Sequence, residues 1–135
     1  MELVFFSAAV LIVGALLLAV ITMKKDGSRQ LDIDRYRSKW LKIEQNLTRD
    51  DTAGRQLCVL NADKLLDQAL RDRGTQGATM GERMKAISWS NANAVWEAHK
   101  LRNRIAHESD VVVEYDAAKR ALAGFKLGLK DIGAI

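Results

Sequence analysis

The sequence contains no proline and only one cysteine, Cys58. A single cysteine excludes an internal disulfide framework and any metal site built from several thiolates. Cys58 lies in a segment of periodic apolar residues, which predicts a buried and unreactive thiol. Aromatic residues are scarce, whereas Ala, Leu, Lys and Arg, which favour helices, are abundant. For a chain of 135 residues we therefore expect one mostly helical domain, with or without an appendage.

Charged residues are absent from the run over 3–23, which is rich in Leu, Val and Ala. As a helix, this run would extend for about 31 Å, enough to cross the hydrocarbon core of a bilayer. A cleaved signal peptide is the main alternative, but Glu2 is the only charged side chain before the run and no small-x-small cleavage site follows it. We therefore predict an uncleaved transmembrane anchor over 1–23.

Basic side chains follow this apolar run but do not precede it. The first of them are Lys24, Lys25, Arg29, Arg35, Arg37 and Lys39. By the positive-inside rule, the asymmetry predicts a single-pass protein of the cell membrane, with its N-terminus outside and its C-terminal domain in the cytoplasm.

The rest of the chain lacks strand patterns of useful length and shows helical periodicity instead. The polar segment over 24–31 contains Asp26-Gly27-Ser28, a turn composition, and predicts a linker. The predicted helices cover about 33–47, 53–73, 80–87, 91–107 and 115–132. The first of them carries one apolar stripe, and we expect its rings Tyr36 and Trp40 in the core rather than stacked on bases; its members are Ile33, Tyr36, Trp40, Ile43 and Leu47. The last helix has an inward stripe of Ala118, Leu122, Phe125, Leu129 and Ile132. On the helix over 53–73, the charged residues, Asp63 among them, are expected mostly on a solvated face. The predicted fold is all-α, with an N-terminal transmembrane helix followed by an up-and-down bundle of four to five helices over 32–135.

The loop over 74–81 contains three glycines, but it does not have the context of a phosphate-binding loop. No strand precedes it and no Gly-Lys-Ser/Thr follows, and a P-loop needs both. Thr79 and Glu82 instead have the spacing of a capping box, which predicts a helix start between them.

Positive charge is only mildly in excess, with a net charge of +4. Such a balance suits either a polyanion-binding surface or ordinary solvated helix faces. Two clusters carry much of it, Arg71/Arg73/Arg83/Lys85 and Lys100/Arg102/Arg104.

Both histidines lie on the predicted helix over 91–107, which therefore carries the candidate chemistry. At about 100° per residue, one side of this helix forms an ordinary apolar stripe that we expect in the core. Its members are Ala94, Ala98, Leu101 and Ile105. The opposite side carries Trp96, His99, Asn103 and His107. This second face suits contact with another helix, a second protomer or a ligand.

Helical spacing restricts what these side chains do together. His99 and His107 are separated by about 12 Å along a straight helix, so they cannot share a metal ion, and we expect neither a metal nor another cofactor. Arg102 and His107 point about 140° apart, whereas Asn103 and His107 stack at i and i+4. Arg102 and His107 can act on one atom only through the reach of arginine, a frayed helix end or a second copy of the helix. A symmetric homodimer fits this requirement best.

The segment from Arg102 to His107, Arg-Asn-Arg-Ile-Ala-His, resembles the Arg-x4–6-His signature of HEPN domains, including the polar residue after the arginine. The resemblance implies a bundle of four or five helices over roughly 32–132 and a metal-independent endoribonuclease whose site forms across a dimer. His107 would act as general base or acid at the ribose 2′-OH and the leaving 5′-oxygen. Arg102 would stabilise charge on the phosphorane-like transition state, and Asn103 would orient His107 or the phosphate.

The same resemblance implies RNA as substrate, 2′,3′-cyclic phosphate products, and an antitoxin-like partner protein, because relatives often serve in toxin–antitoxin and antiviral systems. The alternative is a non-catalytic dimerisation or binding module in which Arg102 and His107 are structural. Glu97 or Glu108 would then pair with the basic side chains, and His107 would interact with the helix dipole. An unrelated membrane-anchored helical bundle is the third interpretation of the sequence.

Overall fold

The computed structural model describes residues 2–25 and 29–135, and the regular structure in these ranges is helical, without a strand. The six helices are α1 (Glu2–Lys25), α2 (Ile33–Gln45), α3 (Thr52–Asp72), α4 (Met80–Lys85), α5 (Ala92–His107) and α6 (Tyr115–Asp131). The predicted all-α character is therefore confirmed for the described part of the chain. The predicted turn Asp26-Gly27-Ser28 lies outside the described residues.

The predicted membrane span requires a correction. Crossing a bilayer takes about 20 consecutive apolar residues in one helix. Within the described ranges 2–25 and 29–135, no helix has the length and apolar character needed to span a membrane. This finding contradicts the N-terminal transmembrane helix predicted over 1–23 and the fold class that included it.

Side chains cap the helix starts where the sequence places Asp, Thr and Asn. Asp51 accepts a hydrogen bond from the backbone N–H of Gly54 at 2.9 Å, and α3 begins directly after it. The predicted N-cap of α4 is confirmed, because Thr79 Oγ1 accepts from the Glu82 N–H at 3.2 Å. The return bond of a capping box is shifted by one residue, since Glu82 Oε2 accepts from the N–H of Ala78, before the N-cap, at 2.7 Å. The bonds to Asp51 and Thr79 satisfy backbone donors that a helix start leaves without partners.

Helix α3 lies at the centre of the bundle and packs against α2, α4, α5 and α6. Its apolar side is fully or almost fully buried at Val59, Ala62, Leu65, Leu66, Ala69 and Leu70. Helix α6 presents the predicted inward stripe to this core, and its members are all buried: Ala118, Leu122, Phe125, Leu129 and Ile132. Burial of these faces is the main favourable contribution to folding.

Tyr36 and Trp40 of α2 are buried, as predicted for core residues rather than for rings that stack on bases. The Tyr36 hydroxyl donates a hydrogen bond to the Asp72 carboxylate, and burial together with this carboxylate raises the pKa of Tyr36. Ile33 was predicted in the same stripe but is exposed at the start of α2. Cys58 is buried as predicted, and burial raises the pKa of its thiol.

Helices α5 and α6 form the most extensive contact between any two helices described. Gly124 of α6 permits this close approach, because an added Cβ would clash with the backbone carbonyl of Ala94 and lie 3.2 Å from the Cβ of Ala98. The N-terminal half of α5 is therefore held firmly against α6, and this contact sets which of its faces meets α3.

Candidate functional site

Helix α5 begins after Asn91, whose side chain accepts a hydrogen bond from the backbone N–H of Ala94 at 3.2 Å. It ends at His107, as predicted. Its innermost residues differ from the predicted apolar stripe, since Val95, Ala98 and His99 are buried. The other members of that stripe, Ala94, Leu101 and Ile105, are only half-buried. The helix is thus rotated so that part of the predicted second face points inward.

The inward rotation brings His99 against Asp63 of α3. The Nδ1 atom of His99 lies 2.7 Å from Oδ1 of Asp63, and both residues are buried. Because an ionised carboxylate only accepts, Nδ1 carries the proton and donates it to this bond. Trp96, the neighbour on the predicted second face, meets the His99 ring edge-on, with the ring centroids 6.1 Å apart. The imidazole is therefore fixed on one side by a carboxylate and on another by an indole.

The second oxygen of Asp63 binds the arginine of the Arg-x4-His segment. Arg102 Nε lies 3.2 Å from Asp63 Oδ2, and Arg102 Nη1 donates to Asn103 Oδ1 at 3.0 Å. The Arg102 side chain keeps 36% of its surface exposed, whereas the Asp63 side chain keeps 5%. One buried carboxylate therefore joins His99 and Arg102, and Asn103 holds the guanidinium from its other side.

This cluster forms one wall of a cleft of about 780 Å³ between α3, α4 and α5. Cationic and anionic side chains both line it: Lys64, Arg71, Arg83 and Arg102 against Asp63 and Asp67. Asp67 is already paired, with Arg83 at 2.7 Å and with Arg71 at 2.9 Å. Members of both predicted basic clusters thus converge on one cleft with an excess of positive charge.

His107 lies apart from this cleft. Its side chain is exposed and lines a separate cavity of about 440 Å³ together with Gln56, Glu108 and Ser109. Close by, Arg104 Nε approaches the Glu108 carboxylate at 3.7 Å, with both side chains mostly exposed. Within one chain, the structure brings Arg102 and Asn103 together with His99 but not with His107.

Asp63 is the residue that sequence reasoning missed. We expected it on the mostly solvated, charged face of α3. Its position did carry a signal, because Asp63 follows buried Ala62 and precedes buried Leu66 by three residues on the apolar side of α3. A carboxylate at such a position is rarely buried without a partner. Over the described residues, no group of three or more His, Cys, Asp and Glu side chains is placed to hold a metal ion.

No family model matches the sequence, and no curated protein or solved structure matches the chain.

Proposed function

We propose that this chain is a HEPN-like helical domain that cleaves RNA without a metal ion, using Arg102, Asn103 and His107 from two copies of the chain. The observation that supports it is the presentation of Arg102. Its guanidinium is held by Asp63 through Nε and by Asn103 through Nη1, yet it borders an open basic cleft. A fixed, partly exposed guanidinium suits recognition of a phosphodiester and of the charge that develops on it.

Arg102 and His107 are too far apart in one chain to act on the same phosphodiester. The two side chains line different cavities of one chain, so they can serve one phosphodiester only if a second copy supplies one of them. His107 is exposed at the last position of α5, where a second copy can approach it. The site is therefore composite, with Arg102 and Asn103 from one copy and His107 from the other.

Cleavage of the phosphodiester requires transfer of a proton from the 2′-OH to the leaving 5′-oxygen and stabilisation of the negative charge on the phosphorane. Neutral His107 accepts the proton of the ribose 2′-OH while the 2′-oxygen attacks phosphorus. Arg102 stabilises the negative charge on the non-bridging oxygens of the phosphorane-like transition state. The bond to the 5′-oxygen then breaks, and His107 returns the proton to that oxygen. The products are a 2′,3′-cyclic phosphate and a 5′-hydroxyl, without any other reactant.

A second candidate is a non-catalytic dimerisation or binding module. The contact that favours it is the Arg102–Asp63 ion pair, which uses part of the guanidinium inside the chain. In this case Arg102 stabilises the bundle and His107 interacts with the C-terminal end of α5.

The test is cleavage of a fluorescent RNA oligonucleotide by the full chain in EDTA. We expect products with cyclic phosphate ends and no cleavage of the 2′-deoxy analogue. Arg102→Ala and His107→Ala should each lower the rate at least about 100-fold. Arg104→Ala is the matched control, because Arg104 lies on the same helix but in an exposed ion pair. No cleavage by the wild-type chain, or full activity in both variants, would favour the binding module.

A mixing experiment tests the composite site directly. Neither Arg102→Ala nor His107→Ala homodimers contain an intact site, but each mixed dimer contains one. Random exchange of subunits should therefore restore about a quarter of the wild-type activity. If the mixture stays inactive although mixed dimers form, the composite site is wrong.

A further inference from the structure

His99 has no role in the proposed cleavage, yet its surroundings are those of a ligand-binding imidazole. The bond from Nδ1 to Asp63 orients the ring and leaves Nε2 as its second polar atom. Among the described residues, no buried side-chain nitrogen or oxygen lacks a hydrogen-bond partner. Since no protein atom is bonded to Nε2, this nitrogen reaches solvent, and the solvent that His99 faces is in the cleft. His99 as a whole is 9% exposed, and this limited exposure includes Nε2.

The charges around His99 favour an anionic ligand. From α3 the cleft receives Asp63, Lys64, Asp67 and Arg71, from α4 Arg83, and from α5 Arg102 and Asn103. Asp63 and Asp67 are engaged by cations within the chain, so their charges are compensated. Lys64 is exposed at the rim, and Arg71 keeps 65% of its side chain exposed. Lys64 is therefore open to a ligand that approaches His99 and Arg102, and Arg71 stays largely accessible although it pairs with Asp67.

We propose that this cleft is a phosphate-binding site that is complete within one chain. The imidazolium of His99 donates through Nε2 and the guanidinium of Arg102 donates to the same phosphate group, with Lys64 at the rim. The ligand class is a phosphate mono- or diester, carried by a mononucleotide or by an RNA backbone. The site shares Arg102 with the proposed cleavage but needs neither His107 nor a second copy, so it stands on binding alone.

Asp63 gives this site its proton dependence. A neutral imidazole that donates from Nδ1 to Asp63 presents a lone pair at Nε2, which repels a phosphate oxygen. Only the imidazolium donates from both ring nitrogens. The proposed contact through Nε2 therefore requires the imidazolium form of His99, so affinity falls as pH rises.

The first experiment uses sulfate, which stays a dianion over the useful pH range and so removes titration of the ligand itself. NMR spectra of the full chain, with imidazole nitrogens and Arg Nε observed directly, follow the titration between pH 5.5 and pH 8. We expect saturable shifts at His99 and Arg102, unchanged His107 signals, and affinity that weakens with rising pH. Shifts of equal size at both histidines, or no saturable shift at His99, would overturn the proposal.

Variants test the same site without relying on one residue. His99→Gln should weaken sulfate binding at least fivefold and abolish its pH dependence. Lys64→Gln, at an exposed position where substitutions usually change stability little, should weaken it at least twofold. Lys100→Gln is the matched control on α5. Lys100 is exposed, does not line the cleft, and pairs with Glu97 at an Nζ–Oε1 distance of 3.0 Å. Equal weakening by Lys64→Gln and Lys100→Gln would show nonspecific attraction and defeat the site.

Two further ligands identify the source of the phosphate. Tighter binding of adenosine monophosphate than of sulfate, with the same His99 shifts, assigns the site to mononucleotides. Tighter binding of a 2′-O-methyl RNA, which cannot be cleaved, assigns it to the RNA backbone. If the chain binds sulfate at His99 but does not cleave RNA, the phosphate-binding site is supported and the proposed function is wrong. If the chain cleaves RNA but the His99 signals do not respond to sulfate, the proposed function is supported and the phosphate-binding site is wrong.

Discussion

The two histidines of α5 share one helix and one predicted face, but their surroundings are opposite. His99 is 9% exposed and its Nδ1 atom lies 2.7 Å from a buried carboxylate. His107 is exposed at the last helical position, in a separate cavity at the end of the bundle. The comparison teaches that the position along a helix, and not the face alone, decides whether a histidine becomes an oriented internal group or a surface group.

The difference arises from how α5 is packed. The N-terminal half of α5 packs closely against α6 at Gly124, and its residues Val95 and Ala98 are buried in the bundle. Towards its C-terminal end, Ile105 is only half-buried and α5 extends beyond the centre of the core. His99 therefore meets α3, whereas His107 remains available to a second molecule.

The largest expected effect comes from removing the Asp63 carboxylate, which binds both His99 and Arg102. Asp63→Ala leaves His99 and Arg102 without their shared partner, and breaking a buried ion pair in this way is strongly destabilising. Because Arg102 is partly exposed, we expect a loss of about 3 kcal/mol in the free energy of unfolding, measured by urea denaturation. Glu97→Ala, at a carboxylate in an exposed pair, should change stability by less than about 0.5 kcal/mol. If the two variants were equally stable, the claim that Asp63 is a stabilising buried partner of His99 and Arg102 would be wrong.

An intermediate effect is expected from Gly124→Ala, which forces α5 away from α6. The added methyl group meets the Ala94 carbonyl and the Ala98 Cβ, and overpacking of this kind costs about 2 kcal/mol. The displacement should shift the NMR signals of His99 more than those of His107. Gly81→Ala in α4 is the control, because its nearest neighbour lies at 3.9 Å and the helix tolerates alanine. A Gly124→Ala chain as stable as the control would show that the contact is not tight.

The smallest expected effect separates the two histidines themselves. His99→Gln should lower the free energy of unfolding by about 1 kcal/mol, because a buried bond to Asp63 is lost while Arg102 still pairs with the carboxylate. His107→Gln should stay within about 0.5 kcal/mol of the wild type, as is usual at exposed positions. Thermal and urea denaturation of both variants measure the difference. Equal losses would mean that His107 is as structural as His99.

Local signals in the sequence predicted the helices of the bundle well. The predicted starts at about 53, 80, 91 and 115 lie within one residue of the observed starts of α3, α4, α5 and α6. Capping side chains such as Thr79 and Asn91 act within one turn, so they are readable from neighbouring residues. The inward stripe of α6 was equally readable, because a continuous apolar stripe can be buried on only one side of a helix.

The candidate site was less predictable. The sequence singled out Arg102 and Asn103, which the structure places at a cleft within one chain, but Asp63, their link to His99, lies on another helix. Its burial depends on how α3 and α5 meet, and periodicity within either helix contains no information about that contact. The membrane span predicted from an uncharged run was also contradicted.

By itself, the sequence determined the all-α character, the caps and the helix boundaries, because each depends on interactions between residues a few positions apart. Only the tertiary structure decided the rotation of α5, the sharing of Asp63 by His99 and Arg102, and the separation of Arg102 from His107. These depend on helix packing over long sequence distances, where one close contact, such as that of Gly124 with α5, changes which side chains meet.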